Sequence, residues 1–172
     1  EVDLWGRYRA DRAAARASMV ASQLDHQAVR LIVAADVTTQ FAALMTIRER
    51  QAIARLNLAT ARRLLERVEA MDRVGMALFG DLASQRAVVS GSEGDLALLD
   101  QAEAEVLAGL AALTGQPAHG FVVTGSGLDA IGSVPVVSPG LSSDLLLRRP
   151  DIASAEATLA AGDADVPAAP PP

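Results

Sequence analysis

No cysteine and no lysine occur among the 172 residues, and aromatic residues make up only 3% of them. Without cysteine there is no disulfide framework, no thiolate metal site and no cysteine nucleophile, and the chain suits an oxidising compartment. All 15 basic residues are arginine and the net charge is −6. That acidic balance argues against a nucleic-acid surface, which wants clustered positive charge. The missing lysine, with so much alanine, points to a GC-rich genome rather than to chemistry. Because aromatics are scarce while hydrophobic content reaches 51%, the apolar residues are mostly Ala, Leu and Val. This is the composition of closely approaching helices, not of a bulky globular core. No uninterrupted run of 18 apolar residues exists, so no transmembrane helix is expected. The start shows no basic n-region leading into an apolar h-region, so any signal peptide is expected outside this chain.

Proline is absent from Asp3 to Arg73, and Gly6 is the only glycine there. Along this stretch Leu24, Ala28, Leu31, Ala35, Thr38, Ala42 and Met45 recur three and four apart, and Val33, Val37, Phe41 and Leu44 form a second stripe. Two stripes on one helix require two helical neighbours, and the small residues allow close approach. At 1.5 Å per residue such a helix reaches roughly 105 Å, a coiled-coil length. A second helix is expected from about Phe79 to Thr114, with a stripe of Leu82, Leu96, Leu99, Ala102, Val106, Leu110 and Leu113 and a stop at Gly115-Gln116-Pro117. Its centre, SGSEGD at 90–95, costs helix stability at each glycine, about 1 kcal/mol against alanine. The reading favours a helix that runs through it.

Between the two helices, Val74 to Gly80 reads as a tight turn. Gly75 suits a left-handed helix C-cap, and Asp81 suits the first turn of the return helix, where the macrodipole favours its charge. Met76, Leu78 and Phe79 either plug the end of the hairpin or, at its most exposed point, meet a partner. The arms are unequal. The shorter one pairs back only to about Gln40, leaving Asp3–Thr39 with stripes that something outside the hairpin must cover. After Pro117 the chain becomes Gly/Ser/Pro-rich, a connector. A short helix then resumes, with Asp144 as a cap and Pro150 in a first-turn position. The final VPAAPPP cannot continue a helix.

Signals for chemistry are weak. FVVTGSGLDA offers Gly125-x-Gly127-x-x-Ala130 after an apolar run, but Gly132 and Pro135 follow at once and no βαβ unit fits a dinucleotide fingerprint. His26 and His119 are far apart, and His26 reads as solvated. No metal-ligand spacing or nucleophile elbow is present. Asp100, Glu103 and Glu105 read as a solvated helix face. No catalytic residue, cofactor or metal site is expected, so the chain is not read as an enzyme.

Several segments together resemble the outer-membrane factor (TolC-like) family of bacterial efflux systems, in the NodT-type branch that works with RND pumps. EVDLWGRYRADRAAARA is similar to that family's ELDLWGR segment, and VGMALFGDL to its VGL tip followed by an aspartate. LAALTGQP resembles the end of the returning helix. PGLSSDLLLRRPDIASAEATLAAGDAD resembles the GLPSDLLERRPDI segment that opens the second structural repeat. The chain departs from the family pattern at Met76 (usually leucine), Ser142 (usually proline) and Leu147 (usually glutamate), and at Gly91 and Gly94, where better helix formers are usual. The family's barrel strands have no counterpart here.

The resemblance implies an all-α chain: a long, uneven, coiled-coil-like antiparallel hairpin, an irregular connector and a short C-terminal helix, with barrel strands absent. It implies a periplasmic hairpin over 1–116 with its tip at 74–81, a connector over 117–143, and the truncated start of a second repeat over 144–172 with a Pro-rich disordered end. The parent is expected to be an exit duct of a tripartite efflux pump, homotrimeric, in the outer membrane and periplasm, working with a periplasmic adaptor (membrane fusion) protein and an inner-membrane RND pump. Val74, Gly75 and Met76 match the family's adaptor-docking tip, and Asp81 its tunnel-entrance polar network. Residues 3–39 would pack against helices of the second repeat. A reading from another class is a free-standing coiled-coil scaffold with no transport role.

Overall fold

The structure is a computed structural model that describes residues 6–133, 135–136 and 143–165. Helix α1 spans Arg7–Arg73, α2 spans Asp81–Leu113 and α3 spans Pro150–Asp165, with 3-10 turns at Leu128–Ile131 and Ser143–Arg148. Among the described residues there is no strand, as the all-α expectation requires. The 67 residues of α1 form one helix because nothing in that stretch removes a backbone donor or adds the conformational freedom of glycine. Helix α2 passes through Ser90–Asp95 unbroken. A side chain at Gly91 or Gly94 would meet nothing within 4 Å, so these glycines weaken the helix without serving a close contact.

By its contacts the chain divides into two units, residues 36–134 and residues 1–35 with 135–172. In the first, the arms of the hairpin pair in antiparallel fashion. Leu44, Met45 and Leu110 form the buried centre, with Val37, Phe41, Val106, Leu107, Phe121 and Val123 packed around it. A Cβ on Gly109 would sit 3.9 Å from the Gln40 side chain, so the shorter arm reaches back to the level where the stripe count ended its pairing. Polar links run up the pair towards the turn: Arg62 to Glu93 at 2.7 Å and Arg86 to Glu69 at 3.3 Å. Gln85 adds a bond to the Ala61 carbonyl at 3.1 Å.

In the second unit, Pro150 occupies the first position of α3, where its missing N–H costs nothing. The buried Ser154 hydroxyl donates to the Asp25 carboxylate and lies 3.3 Å from the Ala21 carbonyl, so α3 covers part of the first third of α1. Ala14 and Ala21 are buried, whereas Val29, Leu31 and Ile32 remain exposed. Asp144, proposed as a cap, has a side chain outside the described set. One sequence expectation needs correction. By length and composition α1 holds an 18-residue window apolar enough to cross a membrane, and only 11% of it is buried. Scattered polar residues interrupt the apolar run but leave its average hydropathy high. The uncovered surface is the same surplus that the two stripes on α1 foretold.

Candidate functional site

At the turn the end of α1 is fixed by two backbone bonds. The Met76 amide donates to the Met71 carbonyl at 2.9 Å and the Gly75 amide to the Asp72 carbonyl at 3.0 Å. Together with φ +69 at Gly75, this is a Schellman stop, which satisfies carbonyls that the helix leaves without partners. Gly80 (φ 91) enters α2 without a side-chain cap. Asp81, the first residue of α2, ties the turn to the helix instead. Its Oδ2 accepts the Leu78 amide at 3.1 Å, and its own amide donates to the Leu78 carbonyl at 3.1 Å. The carboxylate also complements the positive end of the α2 dipole.

The bonds that shape the turn use backbone groups and the Asp81 carboxylate, and its apolar side chains are left to solvent. Val74 is 68% exposed, Met76 73%, Leu78 77% and Phe79 fully so. The plug alternative requires these side chains to be buried, and they are not. Val74, Gly75 and Met76 thus lie together on one tip, joined by Leu78 and Phe79. Asp81 stands beside them, exposed. His26 and His119 are exposed and unrelated to the tip. Among the described residues no group of His, Asp and Glu has a metal-binding arrangement.

A second polar constellation lies at the base of the hairpin, and the sequence reading missed it. Arg48 of α1 donates through Nε to Glu103 of α2 at 2.7 Å, and through one terminal nitrogen to the carbonyls of Val123 (2.9 Å) and Gly125 in the connector. Gln51, 2% exposed, donates to Asp100 and Glu103 at 2.9 Å each. Glu103 is therefore not part of a solvated face. The Arg48 guanidinium holds its carboxyl below the usual carboxylate range; burial opposes this, and Gln51 adds to it. Counting equally outward from the turn places Arg48 near Glu103, so pairing register was the signal available. The connector's grip on Arg48 left no sequence trace.

A family profile described as "Outer membrane efflux protein" matches residues 1–116. A pyoverdine export outer membrane protein, OpmQ, of Pseudomonas aeruginosa is 40% identical over 166 residues, 96% of this chain and 35% of that protein. The toluene efflux pump outer membrane protein TtgF of Pseudomonas putida is 28% identical over 169 residues, 98% of this chain and 35% of that protein. Among solved structures, the outer-membrane channel OprN superposes with a TM-score of 0.84 at 27% identity, over 96% of this chain and 37% of that one. CusC gives 0.81 at 26% identity, over 96% and 38%. The chain spans about a third of the length of these relatives.

Proposed function

Because this chain belongs to the outer membrane efflux protein family, we propose that it is the first-repeat helical segment of an outer-membrane exit duct in a tripartite efflux pump. The parent would be a homotrimer in the outer membrane and periplasm, served by a periplasmic adaptor and an inner-membrane RND pump. In this reading residues 1–116 are the periplasmic hairpin, 117–143 the connector and 144–172 the opening of the second repeat. The duct does no chemistry. Relatives named for pyoverdine export and for toluene efflux match over the same helical stretch, which supports leaving substrate choice to the pump. The scaffold alternative has no comparable support.

The observation that carries the docking role is the exposed apolar tip, Val74, Met76, Leu78 and Phe79, held out by a turn whose backbone needs none of those side chains. A soluble surface gains nothing from such a cluster unless a partner covers it. In this reading the adaptor seats on Val74, Gly75 and Met76, and Asp81 belongs to the tunnel-entrance polar network. Docking would shift a closed–open equilibrium of packed helices, to the extent that the adaptor contacts the two states differently. Met76→Asp tests this. Met76 is exposed in the chain, so helix content by circular dichroism should be unchanged. Adaptor binding should weaken by about 2 kcal/mol or more, since a covered Met side chain contributes about 1.5–3 kcal/mol. Adaptor affinity equal to that of the unsubstituted chain would sink the tip assignment.

A further inference from the structure

We propose that Arg48 is a latch: it straps the connector segment 121–125 across the base of the hairpin and locks strap, α1 and α2 into one block, leaving the tipward arms as the part free to shift. The inference rests on the structure of this chain and not on the transport reading. A single guanidinium on α1 bonds two other pieces of chain, through the Glu103 carboxylate on α2 and the Val123 and Gly125 carbonyls of the strap. Gln51, Arg62, Gln85 and Arg86, by contrast, each link α1 and α2 alone. The strap also contributes apolar cover: Phe121 and Val123 pack on the Leu44, Met45 and Leu110 centre. Beyond it the chain makes a bend that only glycine adopts without strain. Gly127 sits at φ 77, ψ 178, a backbone conformation that side-chain-bearing residues rarely adopt.

The other cross-arm ion pairs differ in kind. Arg48 and Glu103 are 17% and 22% exposed, while the pairs Arg55–Asp100, Arg62–Glu93 and Arg86–Glu69 all have side chains about half exposed. Exposed pairs hold two long side chains at little net gain. A charged hydrogen bond withdrawn from water is stronger, and leaving its partner unpaired is costly. Among the cross-arm ion pairs, the one that most opposes sliding of α1 against α2 is therefore at Arg48.

The test is a distance measurement on the whole chain, whose lack of cysteine gives clean labelling. Spin labels at Val122→Cys and Ala108→Cys, both exposed positions, report strap against α2 by pulsed electron resonance, with unlabelled chain in excess. With Arg48 intact, one narrow distance peak is expected. In Arg48→Ala the peak should broaden towards longer distances and lose its majority, with helix content by circular dichroism retained. Arg48→Lys, which keeps the charge but not the forked donor, should fall between the two. Arg62→Ala should leave the narrow peak in place. If Arg48→Ala fails to fold, Arg48→Lys and Glu103→Gln carry the test. The latch is overturned if the folded Arg48 variants keep the narrow peak, or if Arg62→Ala broadens it equally.

Discussion

Leu44→Ala strikes the most deeply buried apolar cluster of the hairpin among the described residues. Leu44 and Met45 are 0% exposed and Leu110 is 3% exposed. Removing the Leu44 side chain withdraws its transfer free energy and leaves a cavity between two long helices and the strap. Such substitutions cost 2–5 kcal/mol depending on how far the surroundings collapse, and about 3 kcal/mol is the expectation here. For a chain of this size each kcal/mol lowers the melting temperature by about 2–4 °C, giving a fall of about 6–12 °C. Leu56 lies farther towards the tip and is 64% exposed. Leu56→Ala should change stability by no more than about 0.5 kcal/mol. The assay is thermal and urea unfolding followed by circular dichroism, with all variants at one concentration, because association makes the midpoint concentration-dependent. Equal shifts for Leu44→Ala and Leu56→Ala would refute the view that the cluster at the base of the hairpin contributes more to its stability than the exposed face nearer the tip.

Two further outcomes follow from named residues. Gly91→Ala and Gly94→Ala should each stabilise α2 by about 1 kcal/mol, since both are helical and a Cβ meets nothing within 4 Å; urea midpoints that do not rise would show that α2 is not a continuous helix there. Glu103 gives a pH dependence of known sign. Its folded-state carboxyl is held below the ordinary range of a glutamate carboxyl, chiefly by the hydrogen bond from Arg48. The stability it contributes is therefore complete above its ordinary unfolded-state pKa and is lost as pH falls through the lower folded one. Melting curves across the acid range should show this loss in the unsubstituted chain and a flatter profile in Glu103→Gln. Identical acid slopes would remove Glu103 as a contributor.

What the sequence determined by itself was everything carried by local pattern. The stretch without proline or interior glycine dictated α1. The stripes on α1 and α2 set the pairing, its end near Gln40, and the apolar surplus on residues 3–39. Gly75 and Pro150 marked a helix stop and a helix start because each encodes a backbone angle in one residue. The tip was legible for the same reason: a glycine-bounded turn of apolar residues is a local signal. Tertiary structure alone decided whether Met76, Leu78 and Phe79 were plug or exposed surface, since burial depends on what folds against them and not on their identity. It alone removed Glu103 from the solvated face, because an ionised carboxylate looks the same in sequence whether water or an arginine neutralises it. It alone showed the strap, for the bonds that hold it run from Arg48 to backbone carbonyls at Val123 and Gly125. Every residue offers such a carbonyl, so no sequence pattern distinguishes the ones that are used.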